Sequence, residues 1–397
     1  MVLTGLLGVA SLAGCGSLSS KPRPASTDDP GAMSPTAAPE DFSTESAPAA
    51  SASATPNPLD GWTLEQKVGQ LLMVGADTSG PQMVSIDAVA THHVGNVFIA
   101  RQTRSGADSV RGVITALTDL VGPAATHDTP MLVATDQEGG QVQVLGGSGF
   151  SDIPSASEQA IMSTDDLTAS ARTWGQELAD VGVTMNLAPV ADLVDIPDPS
   201  SNAPIGRWGR EYGQSATTSQ DRAIAFARGM EAAGVIPTYK HFPGLGRVTA
   251  NTDTADGVTD SITTRSGDPA VSVFAEAITG GARVIMVSSA IYSAIDSSAP
   301  ATFSSVVVTD MLRGDLGFTG VVITDDVSAA VQVDAWAPAE RAVQAVKAGC
   351  DIVLASADAT MAADMAEALI AEAQADPAFA QRVDESATRV ISLKAGS

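Results

Sequence analysis

Eight short apolar runs alternate with segments of helical periodicity from about residue 60 onward, and this alternation restricts the possible folds. The runs are nearly continuous in apolar character, which is typical of parallel strands that are buried on both faces. They occupy residues 71–75, 94–100, 131–136, 183–189, 235–242, 283–290, 320–326 and 350–356. Eight such βα units over about 335 residues predict an α/β protein with a single (β/α)8 TIM barrel.

The segments between the runs carry signals for the start and the end of helices. Thr63 and Gln66 have the spacing of a capping box. Gly182, Gly234 and Gly349 each directly precede an apolar run, where glycine readily ends a helix in the left-handed conformation. A doubly wound open sheet is the alternative architecture. Its dinucleotide-binding form is disfavoured because no Gly-x-Gly-x-x-Gly motif follows the first run.

The first 58 residues differ in composition from the remainder. An apolar stretch of about a dozen residues, too short to span a bilayer and typical of a signal peptide, leads to Cys15. The sequence Leu-Ala-Gly-Cys that ends at Cys15 resembles a bacterial lipobox, in which the cysteine is lipidated. We therefore expect a signal peptide over residues 1–15, a linker rich in Ser, Pro and Ala over 16–58, and the barrel over 59–397. No Lys or Arg precedes the stretch, so a soluble protein with an irregular N-terminus is the alternative.

The charge balance and the rare residue types exclude several kinds of partner. With 21 Lys and Arg against 46 Asp and Glu, the net charge of −25 repels phosphate backbones, so nucleic acid is not expected to bind. Two cysteines and four histidines give no basis for a disulfide scaffold or a metal centre, and no motif indicates a cofactor. Membrane attachment would depend on the lipid at Cys15 alone, on the extracytoplasmic face. We expect a monomer.

Charged side chains follow the apolar runs where barrel strands would end. Asp136 ends the third run, Lys240 and His241 lie near the end of the fifth, and Asp325 is near the end of the seventh. In a TIM barrel these ends form the mouth of the active site. Burial of such groups costs free energy unless partners or a substrate offset it. We therefore predict that these four residues function together.

Two further carboxylates have structural explanations. Asp326 is predicted to cap the next helix, and Glu138 is as readily explained by the ordering of its own loop as by function. A carboxylate nucleophile beside cationic and hydroxyl-binding groups suits glycoside hydrolysis, in which the transition state resembles an oxocarbenium ion.

Five segments, taken in order, resemble family 3 glycoside hydrolases. They are LEQKVGQLLM from Leu64, DQEGG from Asp136, NLAPV from Asn186, KHFPG from Lys240 and ITDD from Ile323. The chain is most similar to the single-domain branch of β-N-acetylhexosaminidases, so we expect no second family domain. The resemblance implies a retaining enzyme that removes terminal β-linked N-acetylglucosamine, or a related β-hexoside, from cell-wall-type glycans through a covalent glycosyl-enzyme intermediate.

The resemblance also assigns roles to residues of the matching motifs. It implies that Asp325 is the nucleophile. It also implies that sugar hydroxyls are bound by Asp136, Lys240 and His241. Arg210 resembles an arginine of the family's Arg-Ser-Phe-Gly segment, and an alternative alignment uses Arg207 instead. A guanidinium there would hold a sugar hydroxyl or an acyl oxygen by a forked hydrogen bond.

The chain departs from the family at three positions. Asp253 stands where the branch has the His of an Asp-Ser-His loop, its acid/base, and Gln141 and Val144 replace two arginines. A carboxyl group protonates a leaving oxygen if burial or a nearby anion raises its pKa. Asp253 is therefore predicted either to be the acid/base or only to organise the turn around Asn251.

Two other functions stay open at this point. The missing family residues are compatible with a sugar-binding lipoprotein whose catalysis is weakened. They are also compatible with a hydrolase for a β-glucoside or another hexoside.

Overall fold

The structure, a computed structural model, describes residues 57–396. The predicted signal peptide with Cys15, and nearly all of the predicted linker, lie outside the described residues. None of the helices between residues 57 and 396 is both long and apolar enough to cross a membrane.

Parallel strands form a closed barrel at the centre of the domain. The strands, in chain order, are β1 (Leu72–Asp77), β2 (Asn96–Ala100), β3 (Leu132–Thr135), β4 (Gln137–Gly139), β5 (Val142–Gln143), β6 (Met185–Asn186), β7 (Ile236–Pro237), β8 (Tyr239–Phe242), β9 (Thr259–Asp260), β10 (Val284–Val287), β11 (Ile291–Tyr292), β12 (Val321–Asp326) and β13 (Ile352–Ala355). The main sheet has the order β7-β6-β3-β2-β1-β13-β12-β10-β8. Its pairs are all parallel.

The two ends of this order belong to one strand, and this closes the ring. β7 and β8 are separated only by Thr238, whose N–H donates to the Ala188 carbonyl at 2.9 Å. β7 pairs with β6 on one side, and β8 pairs with β10 on the other. The prediction of a (β/α)8 barrel is confirmed, and the doubly wound alternative is wrong because an open sheet would leave these ends unpaired.

Helices surround the barrel and begin and end at several of the predicted signals. They are α1 (Leu64–Gln70), α2 (Met83–His92), α3 (Ala107–Thr118), α4 (Pro123–Thr126), α5 (Ala156–Gln159), α6 (Thr164–Asp180), α7 (Ala216–Ala232), α8 (Pro269–Thr279), α9 (Pro338–Ala348), α10 (Ala362–Ala375) and α11 (Pro377–Ala395), with a π-helix over Val306–Asp315. Thr63 and Gln66 form the predicted capping box. Gly349 ends α9 with φ of 119°, a conformation that favours glycine.

Two apolar layers hold the barrel and its helices together. Side chains that point into the barrel form one cluster, which includes Met73, Phe98 and Met286. Side chains on the other strand face, such as Val74 and Val97, pack with the helices in a larger cluster. This alternation follows from the period of two in a strand. The packed interior supports the strand ends, where the loops carry the polar residues.

Candidate active site

A cavity of about 480 Å³ lies at the carboxyl-terminal ends of the barrel strands. Its apolar lining comes from the barrel interior and includes Phe98, Leu187, Met286 and Leu354. The six residues predicted from the sequence to act on a sugar all line this cavity, namely Asp136, Arg210, Lys240, His241, Asp253 and Asp325. The volume lies within the range of small-ligand pockets, which run from about 300 to 1,000 Å³.

Lys240 joins two carboxylates at one side of the cavity. Its Nζ donates to Asp136 Oδ1 at 2.6 Å and lies 2.6 Å from Glu138 Oε1. Burial alone would lower the pKa of Lys240, but the charges of Asp136 and Glu138 outweigh it and raise the pKa. The ammonium group therefore stays charged at the wall of the cavity.

Glu138 is the buried centre of this charge network. From the sequence alone, its role was undecided between loop ordering and function. Its side chain is 4% exposed, and Arg210 donates two hydrogen bonds to it, from Nε at 2.9 Å and from Nη2 at 2.8 Å. Burial would raise the pKa of Glu138, but the Arg210 guanidinium and the Lys240 ammonium outweigh it and hold the pKa at about 2. Glu138 therefore orients two cations that line the cavity. The alternative explanation, that it only orders its own loop, does not account for these contacts.

Arg210, and not Arg207, reaches the cavity. The Arg210 guanidinium is fixed by Glu138 and by a third hydrogen bond, from Nη1 to the Pro204 carbonyl at 2.8 Å. Arg207 is exposed on the short 3₁₀ helix Gly206–Trp208. The geometry favours the alignment that uses Arg210.

His241 is oriented by Asp192, a carboxylate just beyond the fourth apolar run to which the sequence alone assigned no role. Nδ1 of His241 lies 2.7 Å from Asp192 Oδ2. The other oxygen of Asp192 accepts from the backbone N–H of His241 at 3.1 Å and of Leu245 at 2.6 Å. This arrangement leaves Nε2 as the imidazole nitrogen available to a ligand. Asp192 follows β6 by several residues, so its position at the end of a strand gave only a weak signal.

Asp325 lies at the end of β12 beside the cavity. Oδ1 of its carboxylate accepts from the backbone N–H of Asp326 at 2.9 Å. Burial, opposed by the charges of His241 and Lys240 and assisted by the charge of Asp253, raises the pKa of Asp325 to about 6. At neutral pH the group is therefore ionised in most molecules.

Asp326 ties two loops together and does not cap the following helix, so the predicted helix cap is wrong. Its carboxylate accepts from the backbone N–H groups of Ser328 at 2.7 Å and Ser356 at 2.7 Å. It also accepts from the hydroxyl groups of both serines. A short 3₁₀ helix over Val331–Val333 comes first, after Ala330, and the next α-helix, α9, begins at Pro338. Asp326 therefore fixes the loops that follow β12 and β13, on either side of Asp325.

Asp253 lies on a turn whose hydrogen bonds are accepted by Asn251. Asn251 Oδ1 accepts from the backbone N–H of Asp253 at 3.0 Å, and the Asn251 carbonyl accepts from Thr254 and Ala255. Within residues 57–396 the Asp253 carboxylate accepts no hydrogen bond, and it is exposed at the cavity wall. The turn therefore does not need the Asp253 carboxylate, which leaves this group free to act on a ligand.

Gln332 holds the turn in place by hydrogen bonds to residues before and after Asp253. Its backbone N–H donates to the Thr252 carbonyl at 3.0 Å, and its side-chain amide pairs with the N–H of Val258 at 2.8 Å and with the carbonyl of Val258 at 3.3 Å. Gln332 lies on the segment that follows β12, the strand of Asp325. The turn with Asp253 is thus attached to the segment that follows Asp325.

The two positions that lack the family arginines differ in their surroundings. Gln141 is exposed at the tip of the β4–β5 hairpin, whereas Val144 is buried. In the described part of the chain, no group of three or more His, Cys, Asp or Glu side chains is arranged to hold a metal ion.

A closed (β/α)8 barrel whose mouth carries an ionisable carboxylate, a second carboxylate and fixed cations has the architecture of a glycoside hydrolase. Residues 63–393 match the family model described as the N-terminal domain of glycosyl hydrolase family 3. The chain belongs to glycoside hydrolase family 3 and is a glycosidase.

Relatives and solved structures agree with this assignment. Beta-hexosaminidase LpqI of Mycobacterium tuberculosis is 31% identical over 300 residues, which are 72% of this chain and 72% of the relative. The beta-hexosaminidase of Stenotrophomonas maltophilia is 34% identical over 258 residues, 62% of this chain and 72% of the relative. The crystal structure of beta-N-acetylhexosaminidase from Beutenbergia cavernae is 54% identical, with a TM-score of 0.83 over 84% of this chain and 98% of that chain.

Proposed function

We propose that this glycosidase removes terminal β-linked N-acetylglucosamine from cell-wall-type glycans with retention of configuration. The observation that carries the proposal is the pair of carboxylates at the mouth, Asp325 on β12 and Asp253 on the turn held by Gln332. Asp325 attacks the anomeric carbon and forms a glycosyl-enzyme, which water then hydrolyses. Asp253 donates a proton to the leaving oxygen and later takes one from the attacking water.

The substrate is supported by the names of the relatives and by the fixed polar groups. Several relatives are beta-hexosaminidases, and the Beutenbergia cavernae protein is a beta-N-acetylhexosaminidase. Asp136, Lys240 and His241 present an acceptor, a donor and an imidazole to sugar hydroxyls. Arg210 presents its guanidinium to a hydroxyl or to the acyl oxygen of an acetamido group. The apolar floor fits the C–H face of a hexose ring.

The first test asks whether Asp325 forms the covalent bond. We expect the wild type to turn over an aryl β-N-acetylglucosaminide, and Asp325→Asn to be inactive with an unchanged circular dichroism spectrum. Mass spectrometry after incubation with a 5-fluoro-N-acetylglucosaminyl fluoride should find the sugar on the peptide that contains Asp325. Equal turnover by wild type and Asp325→Asn, or inactivity of both, would refute the nucleophile. Turnover without an adduct would indicate participation of the substrate's own acetamido group.

The second test separates an acid/base from a structural residue at Asp253. An activated aryl leaving group needs little protonation, whereas the alcohol of a natural disaccharide needs a proton. We therefore expect Asp253→Ala to keep much of the activity on the aryl substrate and to lose about 10²–10⁴-fold on the disaccharide. Asp256→Ala, in the same exposed segment, is the matched control. An equal loss on both substrates would assign a structural role to Asp253.

We further propose that the protein acts outside the cytoplasm, held to the membrane by a lipid on Cys15. One relative is a secreted glycosyl hydrolase, which supports an extracytoplasmic location. In the native host, the wild-type protein should sediment with membranes, and Cys15→Ser should be released into the soluble fraction. Equal distribution of the two proteins would contradict the anchor and would leave the glycosidase activity unaffected.

A further inference from the structure

Trp208 has a large exposed aromatic face in a fixed orientation. The residue is 51% exposed, and in the described chain only Met83, Ile161 and Ile262 are comparably exposed large apolar residues. Its indole Nε1–H donates to the Ala203 carbonyl at 3.0 Å, which fixes the ring against its own loop. An exposed aromatic ring that is held rigid resembles a prepared contact surface more than a loose surface side chain.

The loop of Trp208 also supplies the wall of the active-site cavity. Pro204 and Arg210, which flank Trp208 in sequence, both line the cavity, and Arg210 donates to the Pro204 carbonyl. Ala203, which holds the indole, directly precedes Pro204. Trp208 therefore lies on the outer part of a loop whose inner residues touch the sugar site.

A second loop continues this rim. In the β4–β5 hairpin, Val142 lines the cavity, while Gln141 at the tip is exposed. The hairpin packs closely on Ser155, since a Cβ atom placed on Gly140 would lie only 2.9 Å from the Ser155 side chain. The backbone N–H of Ser157 in turn donates to the carbonyl of Gly209, the residue after Trp208, at 3.1 Å. The hairpin tip, the two serines and the Trp208 loop thus form one continuous surface at the edge of the cavity.

We infer that Trp208 is the aromatic platform of a leaving-group subsite, which binds the sugar on the far side of the cleaved bond. The inference rests on the proposed function, because it takes Asp325 as the position of the cleaved bond. The apolar face of a pyranose ring packs on the indole. Its hydroxyl groups meet the exposed polar side chains of Gln141 and Ser157. The ligand class is therefore a glycan of at least two sugar rings.

The test compares a substrate that reaches the platform with one that does not. A β-1,4-linked N-acetylglucosamine disaccharide places a second ring in the leaving-group subsite. A β-N-acetylglucosaminyl fluoride has only a fluorine there. We expect Trp208→Ala to lower kcat/KM for the disaccharide about five- to tenfold, the size of one aromatic contact, and to leave the fluoride unchanged. Trp208→Phe should retain most of the activity because it keeps a ring.

Ile262→Ala removes an exposed apolar side chain from another loop and is the matched control. If Trp208→Ala leaves kcat/KM for the disaccharide unchanged, the proposed subsite is overturned. It is also overturned if the wild-type enzyme cleaves the fluoride but not the disaccharide. An equal loss on both substrates assigns Trp208 to loop stability. A change only in self-association, measured by sedimentation, assigns the indole to a contact between copies. Turnover of the fluoride by wild type and by Asp325→Asn tests the proposed function independently of Trp208, so a failure of that function is recognised separately.

Discussion

Burial of Asp325 and the charge of Asp253 should together set the pH at which activity is lost in acid. Burial and the neighbouring carboxylate of Asp253 together raise the pKa of Asp325 from 3.8 to about 6. A carboxylate nucleophile works only when ionised, so kcat/KM should fall as pH decreases through about 6. One pH unit below its pKa only about a tenth of a group is ionised, which predicts a tenfold lower kcat/KM near pH 5.

Asp253→Asn removes a negative charge that favours the protonated form of Asp325. The pKa of Asp325 should therefore decrease, and the acid limb of the profile should move to lower pH. Burial remains in the variant, so the pKa should stay above its ordinary value of 3.8. At pH 5 the variant should keep a larger fraction of its own plateau activity than the wild type keeps.

The assay measures kcat/KM against pH for an aryl β-N-acetylglucosaminide with a good leaving group, because this reaction needs little help from an acid. Asp256→Asn changes the net charge by the same amount on the same segment and should leave the acid limb in place. A wild-type profile that is flat between pH 5 and 7 would refute the reasoning. A limb that moves to higher pH in Asp253→Asn, or moves equally in Asp256→Asn, would also refute it.

Three further variants test the supports of the site and of the barrel. Gln332→Met removes two hydrogen bonds to Val258, so activity on a poor leaving group should fall severalfold while activity on a good one persists; equal losses would contradict a positioning role. Arg210→Lys keeps the charge but loses the fork on buried Glu138, and urea unfolding at pH 7 should show about 2–3 kcal/mol less stability; an unchanged midpoint would contradict this. Burial lowers the pKa of Lys394 from 10.5 to about 7 in the folded protein. Between these pH values the unfolded chain binds more protons than the folded protein, so the free energy of unfolding rises with pH. Lys394→Met should flatten the rise in urea midpoint between pH 7 and 10, and an unchanged slope would contradict the burial effect.

The strands and the strand-end residues followed from local patterns in the sequence. Each apolar run became a barrel strand because buried parallel strands need apolar residues on both faces, and this requirement is visible within a few residues. Asp136, Lys240, His241 and Asp325 line one cavity because the ends of parallel strands meet at one edge of the barrel. Neither inference needed knowledge of which side chains pair.

The partners of the buried charges were outside the reach of the sequence. Glu138 pairs with Arg210, 72 residues further along the chain, and Asp192 pairs with His241 across 49 residues. Such contacts depend on side-chain directions in the closed barrel, and no spacing rule encodes them. The turn at Asp253 is a further case, because the residue types favour a turn but do not show which side chain, Asn251 or Asp253, accepts its hydrogen bond.

The negative charge of the site has two opposite effects on catalysis. Carboxylates in or directly behind the cavity outnumber the fixed cations. The cations are Lys240 and Arg210, and the carboxylates are those of Asp136, Glu138, Asp192, Asp253, Asp325 and Asp326. An excess of negative charge stabilises the positive charge that develops at the anomeric carbon in an oxocarbenium-like transition state. The same excess favours protonation of Asp325, the proposed nucleophile. Lys240 and His241 moderate this effect, since both lower the pKa of Asp325, yet burial keeps the pKa near 6. The electrostatic field that favours the transition state therefore also lowers the activity below about pH 6 on substrates with good leaving groups, which need no acid.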